Sequence, residues 1–448
     1  MIVMKFGGTS VRDAASMKNV ANIVQQSRSE NPFVVISAIA QGTNFLERMG
    51  NAAALGDMAA SEGTIQEFIA RHRAIMDEGV VSSEHRNFLE NLFLQTEREL
   101  ICLCEGIYLL KELSAKTLDK LYGYGEFLSS HCVATIFIES GIHAEWIDAR
   151  SFMITDENFN AANPMMDVIK KKLAELLSKK EDDTFFVTQG FIGATADGCP
   201  TTMGRESSDF SAAILGAALH AEEVQIWTDV DGVFTADTNV VHRAKKIPFL
   251  SFEEALILSE RGAKILHPKT IIPVMENNIP LFVRNSKKIS DGGTKISSDE
   301  ETLQHRMAIS WMNNLILISL TPRRGMNYYL ITELLAGIFA KNKITPVLQL
   351  SSRNSLQFVL SEKKSLYAFV QDCSSIGNIV ILEKKALLSV VGKNVFATKR
   401  IISRVAEIAD SIPSYLFSSD KLSMSLSVIV DDADIFSFAQ QIHQEFFE

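Results

Sequence analysis

The 448-residue chain has no run of five or six like charges and no apolar stretch approaching the roughly 18 residues that suggest a membrane span. Its N-terminus carries no basic segment followed by an apolar stretch and a cleavage site, so a cytoplasmic protein that stays off membranes is expected. Cysteine is scarce. Cys102, Cys104, Cys132, Cys199 and Cys373 are odd in number, form no C-x-x-C pair and have no histidine at zinc-finger spacing. They point to a reducing compartment and to no metal site held by the protein alone. Only 10 prolines, with 46% hydrophobic and 22% charged residues, leave little material for disordered arms. A formal net charge of −10 without a basic patch argues against a nucleic-acid partner. The length calls for two or more domains, because single domains cluster between roughly 50 and 250 residues.

What is present begins with a short apolar strand, Ile2 to Phe6, interrupted by Lys5 and followed by Gly7-Gly8-Thr9-Ser10 and a helical stretch from about Ala14 to Gln26. The continuous apolar run Phe33 to Ala38 reads as a strand of a parallel sheet covered on both faces, with Gly42-Thr43-Asn44 expected in the loop after it. Apolar residues at three and four spacing then predict a mostly helical section from about Phe45 to Ser140. Strands return at Ala144 to Ile147, Thr184 to Thr188 and Val224 to Thr228, separated by helical stretches, the alternation that builds an α/β sheet. This first body is expected to run to about residue 300. Beyond it, shorter elements predict a βαββαβ module over about 312–384. A second copy over 385–448 lacks its last strand, which Arg306 to Ser310 is expected to supply, nesting the first module inside the second.

Four segments carry candidate chemistry. A lysine leaving a strand, two glycines that let the backbone approach a polyphosphate, and a helix start suit a phosphate cradle at Lys5 to Ser10. The Walker A spacing is absent, and alone these residues are an ordinary βα turn. Gly204-Arg205-Glu206-Ser207-Ser208-Asp209 opens another helix with an arginine fit to grip a carboxylate and an aspartate fit to orient an amine or a lysine. Ile226 to Phe234 is a buried strand ending in a polar turn, where open α/β sheets keep their ligands. Gly262 to Pro268 offers a second lysine, Lys264, just past a helix end, and His267 beside Pro268 reads as a structural histidine.

In this order and at these distances the segments resemble those of the monofunctional aspartate kinases. Lys5 to Val11 is similar to that family's K-F-G-G-T-S-V, and Gly204 to Ala212 to its G-R-G-G-S-D-Y-T-A. Trp227 to Thr235 is similar to W-T-D-V-x-G-I-Y-T, and Gly262 to Pro268 to G-A-K-V-L-H-P. Tyr124-Gly125-Glu126, Thr188 to Gly193 and the C-terminal pair of modules, which resemble ACT domains, extend the likeness over nearly the whole chain. The resemblance implies a three-layer α/β amino-acid-kinase sandwich with a mainly parallel sheet, then two ferredoxin-like ACT modules. It implies transfer of a phosphoryl group from ATP, with Mg²⁺ held mainly through the nucleotide phosphates, to the side-chain carboxylate of L-aspartate. Lys5, Arg205, Asp209 and Lys264 would carry catalysis. Ser37, Thr43, Glu126 and Arg205 would hold aspartate, while Lys5, Gly7, Gly8, Thr228, Asp229, Phe234, Lys264 and Ile265 would border ATP. A homodimer or homotetramer with an amino-acid effector, lysine foremost, at the ACT modules completes the expectation. The chain departs from the family pattern at Glu206 and Ser207, where glycines are usual, and at Phe234 and Asn239. Two rivals stand beside this assignment: another amino-acid kinase of the same fold, and a catalytically weak sensor in which the ACT pair binds ligand.

Overall fold

The computed structural model describes residues 1–178, 184–204, 207–263, 265–298, 307–352, 354–361, 366–393, 395–397, 400–420 and 424–447. Arg205, Glu206 and Lys264 lie outside the described residues. The chain forms two compact units, residues 1–233, 248–252 and 266–300, and residues 234–247, 253–265 and 301–448.

The elements follow one another as β1 (Ile2–Phe6), α1 (Ala14–Gln26), β2 (Pro32–Ile36), α2 (Gly42–Ala54), α3 (Met58–Gly79), α4 (Ser83–Leu110), α5 (Ala115–Glu139) and β3 (Ala144–Ile147). Next come α6 (Met166–Leu177), β4 (Phe185–Gln189), β5 (Ile192–Ala194), β6 (Pro200–Thr202), α7 (Ser208–Leu219) and β7 (Val224–Thr228). Then follow β8 (Phe249–Leu250), α8 (Phe252–Glu260), α9 (Pro268–Glu276), β9 (Leu281–Asn285) and β10 (Thr294–Ile296).

In the first unit eight strands form one sheet in the order β3-β4-β2-β1-β7-β9-β10-β8. The first six run parallel, and β10 is antiparallel to β9. Every residue of β1, β2 and β4 is buried, as strands covered on both faces must be. The crossover from β1 to β2 runs one way along the sheet, and the crossover from β4 to β7 runs the other way past β1. Open α/β sheets bind ligands at such a reversal, outside the carboxyl ends of the strands. Here the ends of β1, β2, β4, β7 and β9 fall in register: Phe6 pairs with Ile36 and Trp227, Ile36 with Gln189, and Thr228 with Asn285.

Helix α5 begins on the Ser114 hydroxyl, which caps the Thr117 N–H at 3.2 Å, and is almost wholly buried from Leu128 to Phe137. It packs on β2, β3 and β4. Gly42-Thr43-Asn44, expected in a loop, instead opens α2, entered through Gln41 in the left-handed conformation at φ 65°. His267 caps α9 by accepting the Lys269 N–H at 3.1 Å, a structural role.

The second unit contains α8 together with β11 (Ala308–Pro322), α10 (Tyr328–Asn342), β12 (Leu348–Ser351), β13 (Leu356–Leu360), α11 (Leu366–Ser374), β14 (Gly377–Val391), α12 (Ile401–Ala409), β15 (Ser414–Asp420), β16 (Ser425–Asp431) and α13 (Ile435–Phe447). Its strands form one antiparallel sheet in the order β12-β13-β11-β14-β16-β15. The strand expected near 306–310 and the first strand of the module expected over about 312–384 are a single strand, β11, with a register shift between Met312 and Leu315. Asn313-Asn314 lies at the step between the two halves. In the fold Asn314 takes a left-handed conformation and donates its N–H to Asp432, so the strand steps sideways without ending. The early half of β11 pairs with the late half of β14, and its late half with the early half of β14. Separate helix-covered cores lie over the two halves, one around Phe358 and Phe369 and one around Val428 and Phe438.

Candidate active site

At the carboxyl ends of β1 and β2 the structure brings together Lys5, Ser37, Glu126 and Asp209. Lys5, the penultimate residue of β1, is 8% exposed, and its ammonium lies 2.5 Å from the Asp209 carboxylate. Asp209 stands in the first turn of α7, where the helix N-terminus favours a negative charge. This pairing is the one sequence reasoning left open between an amine and a lysine.

Backbone bonds pin the glycine loop from both sides. Gly7 donates to the Trp227 carbonyl at 3.0 Å, and Ala40 donates to the Gly8 carbonyl at 3.0 Å. A Cβ on Gly8 would lie 2.7 Å from the Ala38 oxygen, so the turn closes only around glycine. Gly190 plays the same part beside α7, where a Cβ would meet Ser208 at 2.7 Å. The Ser211 hydroxyl accepts the Phe191 N–H at 2.8 Å and donates to the Ser207 carbonyl at 3.1 Å, which fixes the start of α7 to the end of β4.

Glu126 comes to the same region from α5 and is 3% exposed. Its helix approaches closely because Gly125 faces Ala38 and Leu46, which a Cβ would meet at 2.9 and 3.2 Å. The Ser129 hydroxyl, one turn on, donates to the Ser37 carbonyl at 2.6 Å. Burial pushes the Glu126 carboxyl up to about 8, against the opposing pull of the Ala38 N–H and of Lys5. Its Oε2 has no hydrogen-bond partner among the described residues. Thr43, half-buried, sits at the second position of α2, near that helix's positive end.

Thr228, half-buried, ends β7, and Asp229, exposed, follows it. Neighbouring β9 adds residues that sequence reasoning missed. The Asn285 amide donates to the Asp229 carbonyl at 3.2 Å and to Asp231 at 2.5 Å, and Ser286 donates to the Thr228 carbonyl at 3.2 Å. Asp231 also pairs with Lys288 at 2.6 Å. The signal was the register of β9 beside β7, which a linear reading does not supply. Phe234 and Ile265 belong to the second unit, where Phe234 bridges Lys246. A cavity of about 310 Å³ lined by Glu99, Lys120, Tyr124 and Arg150 opens on another face of α5, away from Glu126. Among the described residues no three His, Cys, Asp or Glu gather to hold a metal ion, and no helix is long and apolar enough to cross a membrane.

A lysine paired to a helix-start carboxylate, a glycine turn with no room for a side chain, and a buried carboxyl group converge on the carboxyl ends of central parallel strands. Residues 1–285 match the family model described as the amino acid kinase family, and the chain belongs to that family. Over its whole length it is 29% identical to the lysine-sensitive aspartokinase 3 of Escherichia coli, of which it covers 99%. It superposes on the crystal structure of E. coli aspartokinase III in complex with aspartate and ADP (R-state) with a TM-score of 0.90, and on the complex with lysine and aspartate (T-state) with 0.77. Each comparison is at 29% identity and covers 100% of both chains.

Proposed function

We propose that this chain is an aspartate kinase that transfers the γ-phosphoryl group of ATP to the side-chain carboxylate of L-aspartate. The products are ADP and 4-phospho-L-aspartate. The observation that carries this assignment is the Lys5–Asp209 pair beside the Gly7-Gly8 turn, with Glu126 buried next to it. The identity and coverage against E. coli aspartokinase III support aspartate over other acceptors.

Two anions must meet, so the first requirement is charge compensation. Lys5, held by Asp209 at a buried position, offsets the charge on the transferring group. Gly7 and Gly8 admit the phosphates to backbone N–H groups. Mg²⁺, entering as part of the Mg-nucleotide substrate, would neutralise part of the phosphate charge. Thr228 and Asp229 border the nucleotide. Arg205 takes the α-carboxylate of aspartate, Glu126 its ammonium, and Thr43 and Ser37 complete the acceptor site. The attacking carboxylate is already ionised near neutral pH, so no general base is required. A carboxylate oxygen forms the new bond to phosphorus as the bond to the ADP oxygen breaks.

Residues 1–300 are assigned to catalysis, 312–384 to one ACT module, and 305–311 with 385–448 to the other. Lysine is the proposed effector at these modules, in a cytoplasmic homodimer or homotetramer. Arg205→Lys keeps a cation but loses the planar fork that matches a carboxylate. The KM for aspartate should rise about tenfold with that for ATP unchanged. Steady-state assay of ADP release decides this, and a defect confined to ATP would move Arg205 to the nucleotide side.

A further inference from the structure

The Glu126 carboxyl group is buried, and one of its oxygens, Oε2, has no partner among the described residues. The Ala38 N–H supports the group from the turn after β2. Lys5 of β1 is the charge that acts on it, but Lys5 is engaged by Asp209 of α7 at 2.5 Å. Among the described residues, charged groups on the helices packed around α5 have partners elsewhere. Lys18 of α1 goes to the Glu78 carbonyl, Arg48 of α2 to Glu67, Arg71 of α3 to the Ala40 carbonyl, and Glu99 of α4 takes the Tyr124 hydroxyl. The Ser37 to Ala40 turn carries no titratable side chain. On α5 itself, Asp119 is occupied by Thr202 and the Asn160 N–H, and His131 stacks on Trp146.

A carboxylate in this place would be a buried charge without its own counter-ion, a state that burial strongly disfavours. An arriving ammonium group changes that balance, because it supplies both the opposite charge and a donor for the free oxygen.

Building on the reading of Glu126 as an aspartate contact, we propose that Glu126 is a neutral carboxyl group in the free protein and ionises when the α-ammonium of aspartate takes its unpartnered oxygen, so that each aspartate bound expels one proton. The O–H bond of the carboxyl group breaks, its proton passes to the buffer, and the ammonium keeps all three of its own. The raised pKa of about 8 agrees with this geometry. The device makes the α-ammonium a condition of tight binding, because a dicarboxylate without it offers nothing to drive the ionisation. Glu126 thereby selects an amino acid over a plain diacid.

Calorimetric titration of the full chain with aspartate, in the presence of saturating Mg-ADP, tests this in phosphate and in Tris, two buffers of very different ionisation enthalpy. At pH 7 the difference between the two heats should correspond to nearly one proton released, and the release should decline as pH rises through 8. Glu126→Gln should weaken aspartate binding and release no proton from this site, and succinate should bind to the wild type without release. Identical heats in the two buffers, with aspartate binding still weakened in Glu126→Gln, would overturn the proposal while leaving Glu126 as an aspartate contact. Unchanged binding and unchanged release in Glu126→Gln would overturn both. Release with succinate equal to that with aspartate would also overturn the proposal. The wild-type buffer comparison stands whether or not the variant folds.

Discussion

Lys5→Met is expected to lower kcat by on the order of a hundredfold or more while the KM for aspartate moves little. The lysine is buried at the end of β1, and methionine keeps the unbranched stem among the same neighbours, so the main loss is charge. A charge acting on a phosphoryl group in flight contributes more in the transition state than in the ground state, which places the loss in kcat. The substitution also leaves Asp209 without the cation 2.5 Å away, and an orphaned carboxylate weakens the fold. The double variant Lys5→Met/Asp209→Asn separates the two effects: it should recover thermal stability and none of the turnover. Turnover near the wild-type value in Lys5→Met would remove the lysine from the chemistry.

Gly8→Ala is expected to cost about tenfold to a hundredfold in kcat/KM, although the added group is one methyl. That methyl would lie 2.7 Å from the Ala38 oxygen and 3.3 Å from the Ala40 nitrogen, both backbone atoms that cannot turn away. The β1 and β2 ends must therefore part, and the Ala40-to-Gly8 hydrogen bond with them. Ala38 is the residue whose N–H supports Glu126, so the shift reaches the acceptor side as well as the phosphate turn. A displacement near 1 Å in such a site is enough for losses of this size. Overpacking should also lower stability by about 1–3 kcal/mol. Unchanged kinetics would show that the turn opens freely and that the glycine is dispensable.

The sequence made the sheet of the first unit legible where burial on both faces imposes mostly apolar runs, unbroken at Phe33 to Ile36 and interrupted only by Gln225 at Val224 to Trp227, and it exposed Lys5 as the polar residue inside such a run. It did not make β11 and β14 legible as single 15-residue strands, because a left-handed Asn314 or Lys384 looks like a loop when its partner strand is unknown. Thr43 was misplaced for a related reason: Gly42 reads as a turn, yet in the fold the turn is completed by Gln41 and the helix starts at the glycine. The Lys5–Asp209 pair joins residues 204 positions apart, and Asn285 reaches Asp229 only through strand register. Contacts of that range are set by topology, which local patterns do not encode. Burial of Glu126 depends on Gly125 letting α5 approach Ala38, a packing effect with no linear signature.

The most direct test of the central claim is to trap the acyl phosphate with hydroxylamine while the purified chain turns over Mg-ATP with L-aspartate, L-glutamate or N-acetyl-L-glutamate. Aspartate should give hydroxamate in step with ADP release, and the two longer acids should give little or none. Hydroxamate formed from glutamate or its acetyl derivative in preference to aspartate, or ATP turnover that no acid stimulates, would contradict the assignment.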